Sequence, residues 1–153
     1  MAPTLKTLFN SLDREALAHR VAALEPSAQR QWGTMDPAQM LLHCALGLEV
    51  ATGDRPMKQV LLGKLLTPFL RRIVLGKLPF RRHLPTGPAF VVAAARDFEA
   101  ERIRLATLLD RFVRRGPEAA ATQVHPFFGR LRGDEWGRLA YKHLDHHLRQ
   151  FGV

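Results

Sequence analysis

An all-α fold, a helical bundle with one long crossover, is what the sequence predicts, and three observations predict it. Apolar residues recur at helical spacing over four substantial stretches. No run alternates apolar and polar residues at period two for long enough to build a sheet. The links between stretches are short except one, the proline-bearing segment 55–96 between the second and third. Four helices joined by one long connection is a known way to pack such elements. The chain has 153 residues, so a single domain over 1–153 is expected at a usual ~100–200 residues per domain. A chain of this length buries about 70% of its unfolded surface, enough for one core.

The first helix is expected to start near Ser11 or Asp13 and to run to Leu24. It stops ahead of Pro26, which disfavours helix in the residue before it. A short helical turn is expected at Ser27–Trp32. The second helix carries a stronger start signal. Asp36 offers a capping oxygen, and Pro37 stands at the first helical position, where its missing N–H is not needed. Met40, Leu41, Cys44, Leu48 and Ala51 continue it, and Gly53 is a natural stop. A third runs from Asp97 through Ile103, Leu105, Leu108, Leu109 and Phe112 to Gly116 and Pro117. The last starts near Gly133, Asp134 and Glu135, whose carboxylates suit a positive helix end, and nearly reaches the C-terminus. Within the crossover, one or two shorter helices are expected (Lys58–Leu66, Pro68–Leu75), followed by a loop.

The net charge is +9, and its distribution matters more than its size. Segment 55–96 holds Arg55, Lys58, Lys64, Arg71, Arg72, Lys77, Arg81, Arg82 and Arg96 and no Asp or Glu, so it supplies essentially the whole excess. Cys44 is the single cysteine, which rules out an intramolecular disulfide and with it the usual secreted scaffold. Residues 1–10 have neither a long apolar run nor a small-residue cleavage pattern. No apolar stretch approaches the ~20 residues that cross a bilayer. A cytoplasmic location is the expectation.

Three of the seven histidines lie on the last helix, in Tyr141-Lys-His143-Leu-Asp-His146-His147. At about 100° per residue, Trp136, Leu139, Ala140, Leu144 and Phe151 form one apolar stripe, and His143 and His147 fall within about 20° of Trp136, inside it. Imidazoles four residues apart on one helical face can chelate one metal ion. Burying both without partners would be costly, and an ion satisfies both at once. His43, on a second helix that is apolar round most of its circumference, is the best third ligand. His146 falls at the stripe's edge, next to a ligand or facing solvent. His19 and His83 have no partner pattern. His125, in His125-Pro-Phe-Phe-Gly129, either lines a pocket mouth or caps a turn. Cys44 points about 100° away from His43 and fits a small core residue, since nothing near it in sequence would lower its pKa.

Trp32-Gly-Thr-Met35-Asp-Pro-Ala-Gln39-Met40-Leu-Leu-His43 resembles the start of the second helix in DinB-like proteins, where a Met-x-x-x-Gln-Met-x-x-His pattern supplies the first metal ligand. His125-Pro-Phe-Phe-Gly129, then Glu135-Trp-Gly137, then Tyr141 to Val153 are similar to the C-terminal signature of a DinB-like subfamily catalogued as a domain of unknown function. The resemblance implies an up-down-down-up four-helix bundle with a long crossover between the second and third helices, frequently a homodimer. It also implies a divalent metal, commonly zinc or nickel, on His43, His143 and His147. Some members of the superfamily are thiol-dependent transferases, isomerases or hydrolases.

Two classes of function follow. One is a metal-dependent enzyme: three neutral histidines leave a coordination position open, as catalytic zinc sites do. Its substrates would be a low-molecular-weight thiol or another small molecule, in a transferase or hydrolase reaction. No general base stands out. Glu49 lies far round its helix from His43, while Tyr141 and His125 are proton carriers by position only. The other is a non-enzymatic bundle whose basic segment 55–96 meets nucleic acid, an anionic membrane surface or a second subunit. Only Phe69, Phe80 and Phe90 are there to stack on bases. A solvated face over a crossover packed on the bundle is the plainer expectation for that charge.

Overall fold

The computed structural model describes residues 5–153; the first four residues of the stretch read for a leader sequence lie outside the described residues. Five helices follow one another: α1 (Ser11–Ala23), α2 (Pro37–Thr52), α3 (Leu61–Val74), α4 (Phe98–Ala121) and α5 (Gly133–Gln150). A 3-10 turn at Pro88–Phe90 lies in the crossover. One antiparallel pair, β1 (Val124–His125) with β2 (Gly129–Arg130), forms a small hairpin before α5. The protein is mostly helical, as the periodicity requires. The hairpin is too short to alternate visibly, so period two could not reveal it.

α2 is the central element. Its start is local chemistry: Asp36 accepts from the Gln39 N–H, while the Gln39 side chain accepts from the Asp36 N–H, closing a capping box ahead of Pro37. It ends at Gly53, whose φ of 81° is open to glycine at no steric cost. Between these signals almost every side chain is buried, which suits a helix apolar all round and enclosed by others. It packs most extensively on α4 and more lightly on α5, while α1 lies against α5. Met40, Leu41, Leu105, Phe112 and Leu148 are among the fully buried side chains where these helices meet.

α1 begins where expected, with the Asn10 side chain accepting from the Asp13 N–H. Ser27–Trp32 is not helical. Distant partners override its local preference: Gln31 N–H donates to the Gln150 carbonyl, and Gln150 Nε2 donates to the Trp32 carbonyl. α4 does break at Gly116, whose φ is 80°, and then resumes from Pro117 for one more turn to Ala121. Proline is preset for the first position of that turn.

The crossover differs most from expectation. Of the one or two short helices expected, a single one, α3, forms, and it runs through Pro68 instead of stopping ahead of it. Its anchors lie on the hairpin turn. Val60 N–H donates to the Pro126 carbonyl, Gln59 Nε2 donates to the Phe127 carbonyl, and Thr67 Oγ1 donates to the Gly63 carbonyl across the break. Gly63 lies so close to residues 126–127 that a Cβ there would meet the Phe127 carbonyl oxygen at 2.6 Å. Arg71 pairs with Glu135 at 2.5 Å, tying α3 to the first turn of α5. Among the described residues, no helix is long and apolar enough to cross a membrane.

Candidate metal centre

His43 on α2 and His143 and His147 on α5 converge, and one nitrogen from each lies within 4.8 Å of the others. His43 Nε2 and His143 Nε2 are 3.0 Å apart. The His143 ring rests over Gly47, one turn beyond His43, with Nδ1 3.4 Å from where a Cβ would be, so a methyl would fit there and a larger side chain would not.

Neighbouring groups fix two of the three tautomers. The Phe90 carbonyl can only accept, so His43 Nδ1, 2.9 Å away, carries the proton and donates it. His43 Nε2 is thereby left as a lone pair facing the cluster. Gln150 Nε2 already donates to the Trp32 carbonyl, which aims Oε1 at His147 Nδ1, 2.9 Å distant. That ring too donates through Nδ1 and keeps a lone pair at Nε2. Such outer hydrogen bonds are what orient metal-ligating histidines.

Burial keeps the cluster uncharged. Loss of solvent lowers the pKa of His43 against the smaller opposing effect of its bond to Phe90. His143 lies well below its usual value through burial first and the neighbouring imidazoles second. Burial, then the nearby His43, brings His147 to about 3. Three neutral imidazoles with inward lone pairs suit a divalent cation. A tetrahedral ion with ~2.0–2.1 Å bonds would hold its nitrogens about 3.3 Å apart, close to the 3.0 Å between His43 and His143, while the three nitrogens together span up to 4.8 Å. Without an ion, His143 can donate to His43, but His147 Nε2 has no such partner among the described residues. The donor set fits a metal.

The histidines open onto a cavity of about 560 Å³ enclosed by α2, α4, α5, the hairpin turn and the crossover. His146 lines it, half-buried, with the Trp32 ring 5.5 Å and the Phe80 ring 5.9 Å from its own. His125 both lines the cavity and caps the turn. Its Nδ1 accepts from the N–H groups of Phe127 and Phe128, and burial brings its pKa to about 3. The exposed His83 lies at the cavity's edge. Cys44 touches the cavity too, but burial pushes its thiol pKa up, and its sulfur lies 3.7 Å from that of Met40.

One expected proton carrier falls away. Tyr141 lines a separate, smaller hollow, with the Lys6 ammonium 5.7 Å from its ring centre. Glu49 is held by Arg55 and Arg104. Asp145, on the far side of α5 from the cavity, is nonetheless buried and pairs with Arg20 at 2.7 Å. Sequence reasoning missed Gly47, Gln150 and the Phe90 carbonyl. A glycine four residues after His43 was a visible signal for the first; a backbone carbonyl from the crossover left none.

A family model described as "Protein of unknown function (DUF1569)" matches residues 5–152. No curated protein and no solved structure matches the chain.

Proposed function

Because the chain belongs to the family described as "Protein of unknown function (DUF1569)", whose description names no reaction, we propose a function from the site itself: a divalent-metal protein of the DinB-like type. Its ligands are His43, His143 and His147, on a single-domain four-helix bundle of α1, α2, α4 and α5. The observation that carries this is the pair of fixed tautomers. The Phe90 carbonyl and the Gln150 amide each hold one imidazole with its Nε2 lone pair turned toward the other ligands.

A bound divalent ion would supply Lewis acidity and lower the pKa of a water or thiol at its open position. The chain's own residues supply the rest. Trp32, Gln150 and Phe90 lock the ligand rings, and the apolar walls keep bulk water off the site. His125 and His146 are further imidazoles that line the same space, with His83 at its edge. This favours a transferase or hydrolase acting on a small molecule, with zinc or nickel as the ion. Cys44 is disfavoured as the nucleophile, since burial pushes its thiol pKa up. Metal content of untagged protein, purified without chelator, tests the proposal beside His143→Ala. About one ion per chain, lost in the variant, is expected; no metal in the wild type even after reconstitution overturns it.

One observation favours a second role beside the first. On α3 the side chains of Leu61, Leu65 and Phe69 are 74%, 73% and 81% exposed, and Leu62 and Leu66 share their face. Of the nine basic residues in segment 55–96, only Arg55, Arg71 and Arg96 have an ion-pair partner among the described residues. An apolar stripe edged by unpaired cations suits an anionic membrane surface. Nucleic acid gives exposed leucines nothing to bury in, and a second copy docked face to face would set cations against cations. Co-sedimentation with phosphatidylglycerol vesicles, absent with phosphatidylcholine and lost in Leu65→Glu/Phe69→Glu, is expected. Dimerisation that depends on the same two residues, without vesicle binding, overturns it.

A further inference from the structure

The lining of the cavity specifies more than a place for a metal. Although 24% of the chain is charged, no Asp, Glu, Lys or Arg is among the described residues that line this space. The cations nearest to it are engaged outside. Arg82 lies 4.2 Å from the centre of the Trp32 ring, and Lys142 donates to the Val74 and Gly76 carbonyls with its ammonium 5.0 Å from the Phe80 ring centre. Trp32 and Phe80 line the cavity; Arg82 and Lys142 do not.

The polar side chains that do line it are mostly committed. Both ends of the Gln150 amide are used, by His147 and by the Trp32 carbonyl. His125 Nδ1 is taken by two backbone N–H groups. His43 Nδ1 is taken by Phe90. Thr86 and His83 are exposed, at the rim. What remains inward is apolar (Met35, Leu48, Leu105, Leu109, Phe128 and Leu139 among others) plus three polar features: the Nε2 atoms of the triad, the half-buried His146 beside it, and the Trp136 Nε1–H, which has no partner among the described residues. A charge carried into such a space would lose its water and meet no counter-charge on the walls. An apolar body loses nothing and gains burial.

We infer that the cavity takes a small molecule with an uncharged apolar body, held by the walls, and a single polar end that reaches the three histidines. The volume suits a ligand of ordinary small-molecule size. Only the placement of the polar end rests on the metal reading above; the uncharged body rests on the walls alone. The inference also divides thiols into two classes. A thiol on an aromatic or aliphatic body fits, whereas a peptide thiol with carboxylates and an ammonium does not.

Three probes separate these dependencies, measured by quenching of Trp32 and Trp136, which both line the cavity, and by calorimetry. They are naphthalene, 2-naphthalenemethanethiol and glutathione, each against zinc-loaded and metal-free protein. Naphthalene should bind both forms alike, and the naphthyl thiol should bind the zinc form better. Glutathione should bind roughly tenfold to a hundredfold more weakly than the naphthyl thiol, the worth of one buried aromatic body. Ala140→Phe, which fills space on the cavity wall of α5, should weaken naphthalene binding at least tenfold while leaving the melting curve cooperative. Thr86→Trp at the rim serves the same purpose if that variant does not fold. Glutathione binding equal to that of the naphthyl thiol, or lost in Arg81→Glu/Arg82→Glu, would show charged ends seated at the rim and overturn the inference. So would failure of naphthalene to bind either form. Naphthalene bound by protein that takes up no zinc would instead overturn the metal reading and leave the apolar body standing.

Discussion

α5 and α3 are both amphipathic helices, yet one hides its apolar stripe and the other displays it. Trp136, Leu144 and Leu148 of α5 are buried against the bundle, whereas Leu61, Leu65 and Phe69 of α3 face out. The cause lies in what stands behind each helix. α5 meets α2, which is apolar all round and offers a wall for a wide stripe. α3 meets the hairpin turn 126–128, a narrow backbone ridge that accepts Gly63 and Thr67 and is tied to Gln59. Amphipathicity therefore shows that a helix has a face; the neighbour decides whether the face is core or surface. The same apolar density that makes α5 a core helix makes its histidines hard to charge, while the cations of α3 stay in water.

Acid should separate the two regions most strongly. Burial holds His125 and His147 at about 3, and it also holds His43 and His143 below the ordinary histidine value of 6.5. The unfolded chain takes up protons at these sites as pH falls through about 6.5, while the folded chain resists until much lower. Metal-free protein should accordingly have its full stability above that value and lose it steadily down toward pH 3, which urea midpoints across the window would record. His125→Phe should shallow that slope, even though it lowers the plateau by orphaning the Phe127 and Phe128 N–H groups. Arg72→Ala on α3 should leave the slope untouched. A slope that α3 charges change and buried histidines do not would reverse the comparison.

Truncation at neutral pH comes next in size. Leu148→Ala, at a fully buried position, should cost about 2–5 kcal/mol through lost burial and the cavity left behind. Leu65→Ala should stay within about 0.5 kcal/mol of the wild type, as surface changes do. Denaturant titration of the two variants checks both numbers. A large loss at Leu65 would mean that its stripe is covered in solution.

The comparison also explains what the sequence made legible. The ends of α2 were readable because Asp36, Pro37, Gln39 and Gly53 act on their immediate neighbours. His143 and His147 were readable because helical periodicity alone puts them on one face, and His43 because its helix is otherwise apolar. What could not be read depends on chain that is distant in sequence. Ser27–Trp32 is shaped by Gln150, the tautomer of His43 by the Phe90 carbonyl, and the continuity of α3 through Pro68 by the turn at 126–128. Tyr141, within a few residues of His143 and His147 in sequence, faces away from them. The cavity's lack of charge emerged only when residues from most of the elements were brought around one space.

A difference smaller than that between Leu148→Ala and Leu65→Ala should come from two helical glycines, one on each side of the contrast. Gly63 presses α3 onto the turn, and a Cβ there would sit 2.6 Å from the Phe127 carbonyl oxygen and 2.9 Å from its Cα. Backbone cannot yield cheaply, so Gly63→Ala should cost about 1–3 kcal/mol and loosen the turn that carries His125. Gly47 faces the far end of a side chain instead, with His143 Nδ1 at 3.4 Å and Cε1 at 3.5 Å from a Cβ, ordinary contact distances. Gly47→Ala should therefore gain up to about 1 kcal/mol of helix propensity and leave zinc affinity unchanged, whereas Gly47→Val should displace the ring and weaken zinc binding. Thermal melts and zinc titrations of the three variants decide the matter. A harmless Gly63→Ala would show that α3 is not seated on the turn, and the outward direction of its apolar face would lose its cause.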